Sequence, residues 1–91
     1  MADKVFQMTW EKTAKDSFEA VLGKIPVFLR PIAKQKVSKK AEQIAQQQGR
    51  KEVGEKDVVD AFFIETPFGF HGPMKMDMEA LNIDYKKYGH A

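Results

Sequence analysis

The residue types able to do chemistry are few and scattered. Histidine occurs twice, at His71 and His90, and cysteine does not occur. Without thiols the chain has no disulfide, no thiolate zinc site, no iron–sulfur ligation of its own and no cysteine nucleophile. A metal held by the histidines needs two or three further ligands. The nearest, Asp77, Asp84 and the methionines, have no fixed spacing. His71 lies in "TPFGFHGP", flanked by Phe68 and Phe70. That stretch reads as a loop histidine between two glycine turns, with axial ligation of a tetrapyrrole metal, the phenylalanines stacked on the macrocycle, as the minor alternative. No Ser/His/Asp arrangement, glycine-rich phosphate loop or close carboxylate pair is present. The sequence therefore predicts no catalytic residue, no metal site and no cofactor.

Basic residues are the second candidate chemistry. Arg30, Lys34, Lys36, Lys39 and Lys40 crowd one segment. At 100° per residue Lys36 and Lys40 fall on one flank of the apolar stripe, with Lys39 further round and Arg30 and Lys34 on the other side. A nucleic-acid-reading helix gathers its cations into one strip, so a solvated face covering the core edge is the favoured reading. Arg30 has a fork suited to a carboxylate such as a tetrapyrrole propionate. It is equally suited to pairing with Asp57 or Asp60. The binding candidates are thus Arg30, Lys34, Phe68, Phe70 and His71.

The elements that position these residues come from one small domain. Ninety-one residues with a hydrophobic fraction of 43% allow a single modest core. Fifteen basic and thirteen acidic residues leave a net charge of +2, a weak pull toward nucleic acid. No apolar run approaches the ~18 residues needed to span a bilayer, and "MADKVFQMTW" lacks a secretory h-region. These features predict a cytoplasmic protein with no membrane partner.

Periodicity predicts an all-α chain: short helix, long kinked helix, strap, short helix, then an irregular tail with a short helix after Asp77. Residues 1–8 read as a flexible lead-in, 9–65 as the helical domain and 66–91 as a tail packed on it. Trp10, Ala14, Phe18, Val21 and Leu22 form a helical stripe over about 10–22, ended by Gly23. Pro26 suits a helix start, and Pro31 then predicts a kink near Arg30. Ala33, Val37, Ala41, Ile44 and Ala45 mark one face of a helix ended by Gly49. Gly54 stands at an N-cap with Asp57 three residues on, and Val58, Ala61 and Phe62 follow until Pro67. The expected core is Trp10, Phe18, Leu22, Ile25, Pro26, Phe28, Ala41, Ile44, Val53, Val58 and Phe62. Met74, Met76 and Met78 are expected to help fold the tail back, and no internal repeat is evident.

The run Ile25, Pro26, Phe28 and Arg30, the helix end Glu42, Ala45 and Gly49, and the helix start Val53, Asp57 and Val58 resemble a known small domain. It is the carboxy-terminal domain of the B subunit of light-independent protochlorophyllide reductase. The resemblance covers about residues 9–62. Gly54 stands where that family has a capping threonine, and Ile44 where it tends to have tyrosine. The resemblance implies an accessory or docking module in chlorophyll synthesis, without turnover of its own, because the cluster ligands and catalytic carboxylate of that enzyme lie in its large domain. The implied partner is a protein or a tetrapyrrole, with the chain a monomer or homodimer. The segment from Ala41 to Ala61 also resembles the end of the middle helix, the strap and the start of the last helix of the histone fold. That implies a DNA-binding dimer, the less favoured alternative, and a protein–protein adaptor unrelated to pigment is the third.

Overall fold

A computed structural model describes residues 6–90. The chain is all-α, with one two-stranded ribbon. Strand β1 (Thr9–Trp10) leads through Glu11 into helix α1 (Lys12–Leu22). A 3₁₀ turn (Val27–Leu29) then opens helix α2 (Arg30–Gln47). Strand β2 (Glu52–Val53) leads through Gly54 into α3 (Glu55–Glu65), a second 3₁₀ turn (Phe68–Phe70) and helix α4 (His71–Ala80). A third 3₁₀ turn (Tyr85–Tyr88) follows.

The same sequence of elements thus occurs twice, which the residue types alone conceal. β1 and β2 pair in parallel, Thr9 beside Glu52 and Trp10 beside Val53. Each strand is followed after one residue by an eleven-residue helix. Each helix leads to a proline (Pro26, Pro67) with nearly the same dihedrals, a single 3₁₀ turn and a second helix. Both second helices end on a left-handed residue, Gly49 (φ 72°) and Asn82 (φ 60°). At each end the next N–H reaches back five residues, Arg50 to the Ala45 carbonyl and Ile83 to that of Met78, both at 2.9 Å. Orphan carbonyls at both helix ends are satisfied in this way.

Helix α3 is central. Val58, Val59, Ala61, Phe62 and Phe63 are all buried, because α1 and α2 pack on two of its sides. Ala14, Ala41 and Ala45 are fully buried, and their small side chains let the helices approach closely. Phe18 meets Phe62 at 6.1 Å between ring centroids and Trp10 at 5.2 Å.

Several expectations need correction. Pro31 does not bend a helix begun at Pro26; it lies in the first turn of α2, where a proline removes no intrahelical hydrogen bond. Phe28 is 79% exposed and Pro26 is exposed, because the 3₁₀ turn lifts this segment off the core. Trp10, Ile25 and Ile44 are half-buried against the core, while Phe18, Leu22, Ala41, Val53, Val58 and Phe62 lie within it. Of the lead-in, residues 1–5 lie outside the described residues. Phe6 and Met8 pack on the core. His71 opens α4, so the tail becomes helical well before Asp77. Met74 and Met78 are buried there, whereas Met76 is exposed.

The end of the described chain is stitched to α3. Glu55, the first residue of α3, accepts from Ser17 Oγ and from Tyr88 Oη, each at 2.6 Å. His90 Nε2 donates to Asp60 Oδ1 at 2.6 Å, and its ring stacks on Phe63 at 4.1 Å. Burial, and then the bond to Glu55, push the Tyr88 hydroxyl well above its ordinary pKa.

Two outcomes follow. Gly49→Ala forces a Cβ into left-handed backbone and lowers stability by about 1 kcal/mol, read from the urea midpoint. The folded chain holds the Tyr88 proton more tightly than the unfolded chain, whose tyrosine titrates near pH 10. That contribution is complete below about pH 10 and is lost as the pH climbs toward the raised value. Tyr88→Phe is therefore less stable than wild type by about 1 kcal/mol at neutral pH, and the gap closes in alkaline urea titrations.

Candidate interaction surface

Most polar residues singled out by pattern serve the fold. Glu42 lies on the inner face of α2 between Ala41 and Ala45 and is 5% exposed. Its Oε2 accepts from Trp10 Nε1 at 2.8 Å and from the backbone N–H groups of Gln7 (2.8 Å) and Met8 (3.0 Å). One buried carboxylate thereby fixes both the indole and the lead-in. Asp57, 1% exposed, takes both Arg50 guanidinium ends, at 2.6 and 2.5 Å, and the N–H of Gly54 at 2.9 Å. The last bond is the half of a capping box that the third helical residue supplies; Gly54 has no side chain for the other half, and the Asp57 N–H goes to the Gly54 carbonyl at 3.0 Å instead. The pairing holds the Arg50 guanidinium above its ordinary pKa.

Arg30 pairs with neither Asp57 nor Asp60. Its Nε donates to the Ile25 carbonyl at 2.8 Å and its Nη2 to that of Gly23 at 2.9 Å. Asp60 instead meets Lys56 and His90. The second half of the chain repeats the device at His71, whose Nε2 donates to the Thr66 carbonyl at 2.9 Å. In each half the cationic or imidazole side chain opening the second helix reaches back to the carbonyl just before the proline. Each proline turn is closed by a further bond, Leu29 N–H to Pro26 O and Phe70 N–H to Pro67 O, both at 2.9 Å. The carbonyls leaving the first helices are thus satisfied, and the turns are held in one shape.

These stapled turns carry side chains away from the core. Val27 is 71% exposed, Phe28 79%, Phe68 87% and Phe70 64%. Leu29, Ile32 and Met76 continue the exposed apolar surface. Among the expected binding residues the structure brings Phe68 and His71 together, with ring centroids 5.4 Å apart. Lys34 is exposed, in the first turns of α2. Val27, Leu29 and Ile32 were missed by sequence reasoning; three apolar residues around a proline pair were their only signal.

Charge sorts around the first turn. Between Glu19 and Glu42 there is no acidic residue and there are six basic ones. None of Lys24, Lys34, Lys36, Lys39 and Lys40 makes an ion pair with a described residue. The acidic side chains elsewhere are engaged internally in large part, as Glu42, Glu55, Asp57, Asp60 and Glu79 show. Among the described residues no group of three or more His, Asp or Glu side chains is placed to hold a metal ion. Among the described residues no helix is long and apolar enough to cross a membrane.

Fold and surface together define a small helical domain whose motif residues build two rigid, apolar-tipped turns. Residues 3–91 match the family described as "Protein of unknown function (DUF2621)", and the chain belongs to that family. No curated protein and no solved structure matches it.

The division between structural and surface residues is directly measurable. Glu42→Leu strands three donors and lowers stability by about 2–4 kcal/mol in urea unfolding. Phe28→Ser, at an exposed position, changes it by less than about 0.5 kcal/mol.

Proposed function

We propose that the protein is a docking module without turnover of its own, whose contact surface is the two proline turns and the basic first turns of α2. The observation that carries this reading is the division of labour among its residues. Arg30, Glu42, Asp57 and His71, the polar groups best suited to chemistry, are committed to backbone carbonyls, to backbone N–H groups or, for Glu42 and Asp57, also to the Trp10 and Arg50 side chains. The large apolar groups of the turns are left in solvent instead. Exposed apolar side chains held rigidly are what a binding surface requires, since little conformational freedom remains to be lost on contact.

The resemblance to the carboxy-terminal domain of the protochlorophyllide reductase B subunit supports an accessory role of this kind. The commitment of Arg30 to the Gly23 and Ile25 carbonyls argues against a propionate held by its fork, so pigment handling is the finer and weaker form of the proposal. The unpaired lysines of α2 favour the histone-like alternative. Its phosphate contacts would make no use of Val27, Phe28 or Phe68.

The experiment is site-specific photo-crosslinking in the intact host cell, with a benzophenone side chain at position 28, 68 or, as control, 12 on the outer face of α1. Defined adducts from positions 28 and 68, with none from 12, are expected. Equal labelling from all three positions, or none, overturns the reading.

A further inference from the structure

The first proline turn combines two properties that together specify a partner. Its tip is apolar and convex: Val27, Phe28 and Leu29 stand on one 3₁₀ turn, and Ile32, 58% exposed, lies one helical turn beyond Phe28. Its surroundings are cationic, with Lys24 just before the tip and Lys34, Lys36 and Lys39 exposed just after it. The nearest acidic residues in the chain are Glu19 and Glu42, and Glu42 is buried under Trp10 and the lead-in. Arg30 ties the start of α2 to the Gly23 and Ile25 carbonyls, so the backbone of the turn is bridged from one side to the other. The second turn repeats the pattern in weaker form. Phe68, Phe70 and Met76 are exposed, and no acidic residue lies between Glu65 and Asp77.

We infer that the first proline turn and the basic start of α2 form a docking site for the surface of an anionic phospholipid bilayer, with Val27, Phe28, Leu29 and Ile32 entering the headgroup–acyl boundary and Lys24 together with Lys36 and Lys39, which share the helix face of Ile32, meeting lipid phosphates. This rests on the docking reading above and names its partner.

Three comparisons select the bilayer. A nucleic acid would engage the lysines but leave the aliphatic tip unexplained. A second copy joined through the same patch on both chains would set two acid-free cationic segments against each other, which like charge opposes. A bilayer interface accepts a small convex apolar tip without a complementary pocket, and its negative surface attracts the flanking cations. Adsorption of this kind needs no membrane-spanning helix.

The test is co-sedimentation of the full chain with phosphatidylglycerol vesicles, and with phosphatidylcholine vesicles as the uncharged comparison. Binding to the anionic vesicles that weakens as salt rises is expected, with little binding to the uncharged ones. The F28S/I32S variant, altered only at exposed positions, should retain the wild-type circular dichroism and lose about tenfold or more in vesicle affinity. The K36S/K39S variant should weaken binding at low salt and flatten its salt dependence.

Absence of binding to phosphatidylglycerol at low salt overturns the inference, as does binding indifferent to F28S/I32S. Salt-sensitive binding to duplex DNA without vesicle binding overturns it in favour of nucleic acid. A concentration-dependent dimer that F28S/I32S abolishes, again without vesicle binding, overturns it in favour of a second copy. Protein adducts from position 28 in the cell, without vesicle binding, remove the bilayer but leave the docking reading standing.

Discussion

The structure hangs on one buried carboxylate. Glu42 sits on the buried face of α2 among Val37, Ser38, Ala41 and Ala45, and a charge there is tolerable only if it is fully engaged. Three donors gather on its Oε2, two of them backbone groups at the start of the described chain and one the Trp10 indole. Because Trp10 is also the strand residue beside Val53, this bond couples the position of α2 to the ribbon. The ribbon in turn fixes where α1 and α3 begin. A polar group that looks wrong for its helix face is the element through which the two halves are set in register.

The second organising feature is repetition without sequence likeness. Arginine in one half and imidazole in the other do the same work at the start of the second helix, and glycine and asparagine do the same work at its end. Each pair shares a physical capacity: an N–H within reach of a carbonyl, or tolerance of positive φ. A comparison of residue types along the chain cannot register this equivalence. The repeat becomes visible only as a repeated solution to the same problem, the loose carbonyls at a helix end.

The sequence made some of this legible and hid the rest for definable reasons. The stripes of α1 and α3, the glycine end of α2 and the spacing that sets the Asp57 carboxylate on the Gly54 N–H are local, so periodicity and spacing revealed them. The placement of Phe28 was not legible, because an aromatic after a proline reads as an anchor and only the 3₁₀ geometry turns it outward. The partner of Arg30 was missed because pattern reading looks for an opposite charge, whereas the nearest need was a pair of unsatisfied carbonyls. Helix α4 was obscured by Gly72 and Pro73, two residues that read as loop but fall within a first helical turn, where neither breaks a necessary bond.

The chain's single tryptophan is the residue that Glu42 holds. Its indole sits 4.7 Å from the Phe6 ring and 5.2 Å from Phe18, half-buried beside a carboxylate. Detachment of the lead-in would take the indole into water and change both its polarity and its neighbours at once. The protein therefore carries an intrinsic optical reporter at the joint between its two halves. Opening of that joint can be followed in real time without a label, separately from the melting of the helices.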